Sequence, residues 1–312
     1  MALSGCAQEA GSSGAPAKYL PLARRAVHSW MAPNTSSQDL LYVSGACGGI
    51  CVFSYPGGAL VGELGDPNYP LGECVDASGN VFVANVGFEN GTPGIYEYAH
   101  GGSSPIAELS DPGYNPESCS IDPTTGNLAV AGDAAAFDRT GVVAIYTGAQ
   151  GDPTDYADPR IPSLSSCGYD DKGNLFVDGL SYKEAVRFGE LPAGGSSFKS
   201  IELSQEPSSP LGIQWAGKYL AVAASSTVIY HVAVAGSRGT VVASTLLNGP
   251  GSSETRFWIQ GGTIVAPYEA TSQTYAVGLW RYPAGGRVRK NITGSEFDEG
   301  EPFGVVISPA DR

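Results

Sequence analysis

The sequence predicts an all-β fold, and two observations lead to that class. Of the 312 residues, 43 are glycine and 22 are proline, a content typical of chains in which tight turns join many short strands. In addition, the stretch LGECVDASGNVFVAN at 71–85 has two close relatives, ESCSIDPTTGNLAVAG at 117–132 and SSCGYDDKGNLFVDG at 165–179. A hairpin sequence that occurs three times at similar spacing indicates a repeat architecture.

The repeat extends over most of the chain. Aligned on the apolar run after each turn, the repeats begin at Leu40, Asn80, Asn127, Asn174, Tyr219 and Thr263. Their spacings of 40, 47, 47, 45 and 44 residues match the length of one four-stranded blade of a β-propeller. The sequence therefore predicts a six-bladed β-propeller of four-stranded blades.

Each blade is predicted to contain strands a to d, counted from the axis outwards. Strand a precedes the turn, strand b is the NVFVAN type, strand c carries an aromatic residue as in GIYEYA, and strand d is a short run such as PIAEL. The a–b turn contains Asp76, Asp122 or Asp170, each followed by a Gly-Asn pair. An aspartate caps such a turn through its side chain, and glycine adopts the left-handed conformation that other residues resist.

The first blade lacks an a strand, and the end of the chain supplies a candidate. PFGVVI at 302–307 resembles PLGIQW at 210–215, which contains the a strand of the fifth blade. We expect 302–307 to complete the first blade beside residues 41–44, closing the ring and covering two sheet edges. A single propeller domain would then span residues 31–312, after a flexible leader at 1–30.

The repeats share a common motif: Pro-x-Gly-x-x-x-Asp, then Gly-Asn-[Val/Leu]-x-Val, then a c strand with an aromatic residue. This motif resembles the NHL repeat of six-bladed β-propellers. The resemblance covers residues 40–308, and it weakens in the fifth and sixth repeats, where the turn aspartate is missing. The chain is also similar to bacterial extracytoplasmic propellers of the lipoprotein type. These resemblances imply a fold and carry no activity with them.

The charge balance argues against one class of partner. The chain has 17 basic and 31 acidic residues, a formal net charge of −14, and no basic stripe interrupts the acidic composition. Such a surface repels phosphate backbones, so we expect no nucleic-acid partner.

The start of the sequence contains Leu3-Ser4-Gly5-Cys6, which resembles the lipobox of bacterial lipoproteins. Lipidation at Cys6 would tether the protein to a membrane of the bacterial cell envelope, in the periplasm or on the outer membrane. The alternative location outside the cytoplasm is that the protein is secreted. This interpretation requires a translation start upstream of Met1, because a signal peptide needs a basic and an apolar region before its cleavage site. The alternative is an incidental cysteine in a disordered leader.

Binding groups are predicted on the face formed by the b–c and d–a loops. These loops are long and varied, whereas the a–b and c–d turns are short and uniform, and irregular loops on a rigid scaffold commonly carry binding groups. The candidates are Asn68, Tyr69, Asn85, Tyr114, Asn115, Asp133, Asp178, Glu254, Tyr268 and Glu269. The alternative for most of them is a role in turns or at the solvated surface.

Three functions are compatible with these features. The leading hypothesis is a monomeric, non-enzymatic module that binds a small ligand or a protein partner and has no cofactor. The second is a Ca²⁺-dependent lactonase or esterase, because EGEPFGVV at 299–306 resembles the segment by which the gluconolactonase/regucalcin family places a metal-ligand glutamate, here Glu301. The third is a structural envelope module, favoured if residues 20–39 plug the channel mouth, since Trp30-Met31 has no place in a blade.

Five cysteines lie beyond the leader, so at least one is unpaired within a monomer. Cys119 and Cys167 occupy the same register in consecutive a strands, which permits a disulfide in an oxidising compartment; Cys74 lies one residue off that register. Cys47 and Cys51 flank a three-residue loop that would also permit a bridge. The alternative for the three inner cysteines is a role as small buried hydrophobic residues.

Overall fold

A computed structural model describes residues 28–87, 93–110, 114–134, 141–249, 256–271, 274–298 and 300–310. Within these ranges the chain forms β-strands and four short 3₁₀ turns, at Thr35–Ser37, Ala46–Gly48, Thr147–Ala149 and Ser295–Phe297. None of the helical segments in these ranges has the length and apolar character needed to cross a membrane. The fold is therefore all-β, as the sequence predicts.

The strands form six antiparallel units, and apart from one C-terminal strand the first three lie before residue 160. Unit one contains β1 (Trp30–Met31), β2 (Leu40–Ser44), β3 (Ile50–Ser54), β4 (Leu60–Leu64) and, from the end of the chain, β25 (Val305–Ser308). Unit two contains β5 (Pro70–Val75), β6 (Val81–Asn85), β7 (Gly94–Tyr98) and β8 (Pro105–Ser110). Unit three contains β9 (Tyr114–Ile121), β10 (Leu128–Ala134), β11 (Gly141–Tyr146) and β12 (Thr154–Tyr156).

The remaining units each contain four strands. Unit four contains β13 (Ser163–Tyr169), β14 (Leu175–Leu180), β15 (Val186–Leu191) and β16 (Lys199–Leu203). Unit five contains β17 (Ile213–Trp215), β18 (Leu220–Ser225), β19 (Val228–Ala235) and β20 (Arg238–Asn248). Unit six contains β21 (Trp258–Gln260), β22 (Thr263–Thr271), β23 (Thr274–Arg281) and β24 (Gly285–Ile292). Short parallel pairings of β20 with β16 and with β24 join these three units into one twelve-stranded sheet.

The C-terminal strand completes unit one. β25 pairs antiparallel with β2, with Leu40 opposite Ser308 and Val43 opposite Val305, so the predicted return of the chain end to the first unit is confirmed. His100, in the turn between β7 and β8, lies next to this strand, with its Nδ1 atom 2.6 Å from Ser308 Oγ. The chain end is thus held by unit one and by the neighbouring unit two.

Hydrophobic clusters fill the gaps between neighbouring units. One pair of residues from each cluster illustrates the pattern: Tyr42 with Val83, Phe82 with Val130, Ala129 with Val177, Phe176 with Val222, Ala223 with Ile264, and Leu41 with Val265. The second strand of each unit is therefore covered on both faces. This explains why runs such as LLYVS and VFVAN are buried throughout and do not alternate between apolar and polar residues.

The a–b turns have the predicted chemistry. Asp76 Oδ1 accepts hydrogen bonds from the N–H groups of Ser78 (2.9 Å) and Asn80 (2.8 Å), and Asp170 caps the corresponding turn of unit four in the same way. Gly79 has a φ of 82°, a left-handed conformation that favours glycine. The recurring aspartate and glycine therefore fix the turns.

The prediction that Trp30-Met31 has no place in a blade is wrong. These two residues pair with Glu63 and Gly62 of β4 and so add an edge strand to the outside of unit one, across the predicted boundary between the leader (1–30) and the propeller domain (31–312). A cavity lies between the first strands of the units, and residues 28–39 contribute nothing to its wall. The described part of the predicted plug therefore lies at the periphery.

Candidate functional site

A cavity of about 320 Å³ lies where the first strands of all six units meet. Each of these strands contributes to its wall, with Glu73, Ser118, Cys167, Ile213, Trp258 and Val305. The wall continues to the a–b turn of unit four through Asp170 and Asp171, so the cavity extends toward the face of the short turns. It is roughly twice the ~150 Å³ that accommodates benzene in an engineered protein cavity, and a small organic molecule fits within it.

Arg256 lines this cavity and brings a positive charge to its wall. It lies just before β21, and its Nη2 atom donates to Glu117 Oε2 of unit three at 3.2 Å, whereas the buried Nη1 atom has no hydrogen-bond partner. The guanidinium passes close to the backbone of Gly72, where a Cβ atom would lie 2.8 Å from Nη1 and 2.6 Å from the Glu117 carbonyl oxygen. A residue without a side chain is required at this crossing.

Glu73 faces the cavity from β5 and is 7% exposed. Neither of its carboxyl oxygens has a hydrogen-bond partner. The nearby Ser44 hydroxyl is already used, because it donates to the Leu71 carbonyl at 2.7 Å and accepts from the Gly304 N–H at 2.8 Å. Burial raises the pKa of Glu73 to about 8, although the positive charge of Arg256 opposes the shift.

A second buried carboxyl, Asp178 of β14, lies behind the cavity wall. Its Oδ1 atom accepts from the Ser166 hydroxyl at 2.6 Å, while Oδ2 has no partner. Burial raises the pKa of Asp178 to about 7, against the effects of Ser166 and Arg256. Burial also raises the pKa of the neighbouring Cys167 to about 12, so this sulfur stays a thiol and is not an activated nucleophile.

Aromatic side chains form another part of the wall. Trp215, Phe257 and Trp258 all line the cavity. The Nε1 atom of Trp258 donates to Gln260 Oε1 at 3.2 Å, but the buried Nε1 atom of Trp215 has no partner. The cavity therefore offers apolar surface together with several unpaired polar groups. Most buried polar atoms in folded proteins are hydrogen-bonded, so this arrangement is suited to binding a ligand.

The candidate residues predicted around unit two lie together but are used by the fold. Asn85 Oδ1 accepts from the Tyr69 N–H at 2.8 Å, and Asn85 Nδ2 donates to Asn68 Oδ1 at 3.2 Å. The Tyr69 ring packs against Phe303, with 6.0 Å between the ring centroids. This network fixes the loop that leads into β5.

Asp133 has a comparable role between units three and four. Its Oδ2 atom accepts from the Ser163 hydroxyl and its Oδ1 atom from the Leu164 N–H, both at 2.8 Å. Asn115 lies opposite Asp133 in the β9–β10 pairing, and the Tyr114 hydroxyl donates to Asp155 Oδ2 at 3.2 Å. These candidates form a local group that is separate from the network around Asn85.

The other predicted residues are dispersed. Tyr268 packs edge-on against Trp280, with 5.6 Å between the ring centroids, and Glu269 follows it in β22, half-buried. Glu254 and the lipidation candidate Cys6 lie outside the described residues. Of the predicted residues that the structure describes, only Asp178 belongs to the polar group around the cavity.

Sequence reasoning missed Glu73 and Arg256. Glu73 is the only charged residue in a strand whose other members are apolar or small, PLGECV, and a lone carboxylate in an innermost strand was a usable signal. Arg256 precedes the short β21 of the sixth unit, where the repeat pattern is weakest. No linear pattern indicates that these two side chains share a cavity.

The predicted Cys47–Cys51 disulfide is confirmed, whereas the predicted pairing of Cys119 with Cys167 is wrong. Cys119 pairs with Cys74, at a Cα–Cα distance of 5.6 Å, and Cys167 is a free, buried thiol. Cys119 faces the gap between units two and three, and Cys167 faces the gap between units three and four. A register shift within β5 brings Cys74 to the same gap as Cys119.

Glu301, the residue of the Ca²⁺ hypothesis, lies next to Tyr275. Burial, with the nearby charges of Glu301 and Glu269, raises the pKa of the Tyr275 hydroxyl, which hydrogen-bonds to Glu301. In the part of the chain that the structure describes, no group of three or more His, Cys, Asp or Glu side chains is arranged to hold a metal ion. The hydrolase stays a prediction without a supporting contact.

The strand order and the inter-unit packing define an all-β protein with a β-propeller-like fold. Among solved structures, TolB from Acinetobacter baumannii is similar, with a TM-score of 0.61 and 15% sequence identity over 89% of this chain and 68% of that one. At this identity the likeness concerns the fold alone. No protein-family model matches the sequence, and no curated protein matches it.

Proposed function

We propose that the six units form a closed six-bladed β-propeller. Contacts between first strands support a complete circle: β5 contacts β25 and β9, β13 contacts β9 and β17, and β21 contacts β25. The remaining junction is made by Gln214 of β17, whose side chain bonds the backbone of Ile259 in β21 at 2.6 and 2.9 Å. The β25–β2 pairing supplies the closure.

This propeller acts as a binding module outside the cytoplasm, in the bacterial cell envelope or secreted. The Cys47–Cys51 and Cys74–Cys119 disulfides support this location, because disulfides persist in oxidising compartments. Lipidation of Cys6 would add a membrane tether. The NHL-like repeat is part of the same proposal and rests on the sequence motif.

The observation that carries the binding function is the set of unpaired polar atoms around the central cavity. Glu73, Arg256 and Trp215 each have buried nitrogen or oxygen atoms without a partner, and leaving such atoms unsatisfied costs about 1–3 kcal/mol each. The loop-side candidates Asn85 and Asp133 are instead engaged by protein groups. These contacts favour a small ligand in the cavity over one on the loop face.

A thermal-shift screen with a cavity-filling variant tests this function. Small organic acids, amines and neutral compounds are added to the native chain and to Gly212→Leu. Gly212 lines the cavity, and a Cβ atom there makes only ordinary contact with Phe257, at 3.5 Å. We expect at least one class to raise the melting temperature of the native chain but not that of Gly212→Leu.

The matched control is Gly262→Leu, at an exposed turn where the nearest atom to a new Cβ lies 3.9 Å away. It should respond to compounds as the native chain does. Gly212→Ala is the milder cavity variant if Gly212→Leu does not fold. Equal shifts in the native chain and the cavity variants would place binding elsewhere, and no shift with any compound would argue against a small-molecule module.

A further inference from the structure

We propose that the cavity selects a small organic amine, whose ammonium group binds Glu73 and whose apolar body lies among the aromatic side chains. This inference rests on the proposed binding function and specifies the chemical class of the ligand. The evidence consists of the charges around the cavity, the unused hydrogen-bonding capacity of Glu73, and the shape and composition of the wall.

The charges around the cavity favour a cation. Arg256 forms an ion pair with Glu117 at 3.2 Å, and its charge lowers the pKa values of Glu73 and Asp178. An anionic ligand would have to lie among these carboxyl groups, whereas an ammonium group would favour the ionised form of Glu73 and pair with it. The net charge of −14 further attracts cations to the protein.

Hydrogen-bonding capacity leads to the same ligand class. Both Glu73 oxygens lack a donor, and the adjacent Ser44 hydroxyl donates to Leu71 instead. A carboxylate accepts several hydrogen bonds, and a primary ammonium group has three donors. A charge-assisted bond of this kind is roughly twice as strong as a neutral one. The ammonium group is therefore the ligand group that best complements Glu73.

The rest of the wall selects the body of the ligand. Trp215, Phe257 and Trp258 supply apolar and aromatic surface, which stabilises both a hydrophobic body and a nearby cation. The volume of about 320 Å³ accommodates one ring with a short chain, on the scale of ~150 Å³ for benzene. A phenyl ring carrying a two-carbon amine is a suitable probe.

Binding of an amine is expected to release a proton. The charge of Arg256 acts on Glu73, and the other titratable side chains in the described cavity wall are Cys167, Tyr169, Asp170 and Asp171. The raised pKa of about 8 favours the protonated form of Glu73 at neutral pH. Since the ammonium group binds the carboxylate form, binding at pH 7 should release a proton from Glu73. The affinity should therefore rise as the pH increases from 7 to 9.

Calorimetry with three matched probes tests the ligand class. The probes are 2-phenylethylamine, 2-phenylethanol and 3-phenylpropionate, each titrated into the full chain at pH 7 in two buffers of different ionisation enthalpy. We expect the amine to bind at least tenfold more tightly than the other two, with proton release. If the alcohol or the acid binds better and Gly212→Leu abolishes that binding, the amine inference is overturned while the binding function stands.

Glu73→Gln removes the ionisable group with little change in shape. It should weaken 2-phenylethylamine at least tenfold and remove both the proton release and the pH dependence. Glu108→Gln, at an exposed position of β8, is the matched control and should bind like the native chain. Unchanged amine affinity in folded Glu73→Gln would overturn the inference. Absence of binding by all three probes would also overturn the amine inference. The thermal-shift screen with its wider range of compounds then tests the binding function separately.

Discussion

Two groups of buried or half-buried polar side chains in this molecule differ in how their hydrogen bonds are made. On the loop side, Asn85 and Asp133 bond backbone and side-chain groups of adjacent segments at 2.8 Å. Around the cavity, the Glu73 carboxyl oxygens have no hydrogen-bond partner, and Asp178 has one oxygen without a partner. The first group joins loops to strands, and the second leaves bonding capacity beside a cavity. Burial of a polar residue therefore does not distinguish a structural role from a binding role, whereas its hydrogen-bond partners do.

The largest expected effect is a loss of stability when the C-terminal strand that completes unit one is removed. Deletion of residues 301–312 removes β25, whose Val305, Val306 and Ile307 are buried. At about 1.5–3 kcal/mol for each large apolar side chain, the loss is comparable with a total stability of 5–15 kcal/mol. We expect loss of the cooperative thermal transition in circular dichroism.

The control for this deletion is removal of residues 1–31 from the other end. That change takes away only the two-residue edge strand β1 among the described strands, and the chain should still melt cooperatively. A C-terminally truncated chain that melts like the full chain would show that the β25–β2 pairing is dispensable.

The next effect concerns the pH dependence of stability. The pKa of Glu73 is raised to about 8 in the folded chain and takes an ordinary value near 4.3 when unfolded. Its stabilising contribution is therefore fully present below about pH 4 and is lost as the pH rises to about 8. In the native chain the unfolding free energy should therefore fall with increasing pH between pH 5 and 8. In Glu73→Gln the slope of this fall should be smaller by about 1 kcal/mol per pH unit.

Urea unfolding at several pH values measures this effect, with Glu108→Gln as the exposed control. Because Asp178 also has a raised pKa, about 7, Asp178→Asn should flatten the curve further, at pH values below 7. A Glu73→Gln curve parallel to that of the native chain would indicate that Glu73 titrates normally and that its carboxylate is solvated or paired.

The smallest effect comes from making the same change in each group. Asp133→Asn should destabilise the chain by about 1–3 kcal/mol, because an amide cannot replace both acceptors of the carboxylate without placing two donors together. Asp178→Asn keeps an acceptor for Ser166 and removes an unpaired buried charge, so at pH 8 it should be neutral or stabilising. Chemical denaturation of both variants at pH 8 makes the comparison. If Asp178→Asn is the more destabilising of the two, the contrast between the groups does not hold.

Much of the architecture could be predicted from the sequence. β2 and β22 begin at Leu40 and Thr263, as the repeat indicates, and β6 begins at Val81, one residue after the predicted start. This accuracy has a physical origin, because each unit must bury both faces of its middle strands against its neighbours and so repeats the same apolar run and the same turn. The short strand at Trp30–Met31 was missed because two residues at a sheet edge leave no periodic signal.

The site was less predictable because it depends on distances between units. Glu73 and Arg256 belong to units two and six, and both line the cavity where the first strands of the units meet. Arg256 also approaches the backbone of Gly72, the residue before Glu73. The cysteines give the same lesson. Cys119 and Cys167 have the same register in consecutive strands, but their side chains face different gaps between units. The register shift in β5 brings Cys74 to the gap that Cys119 faces, so these two cysteines form the disulfide.

The pairing of β25 with β2 also determines when the protein can finish folding. A nascent chain emerges from the ribosome with Leu40–Ser44 early and Val305–Ser308 late. The sheet that starts first is therefore completed last, and its inner edge stays uncovered during most of synthesis. Exposed strand edges of this kind promote aggregation, so we expect the incomplete chain to depend on chaperones, or on export in an unfolded state, until its final strand is available.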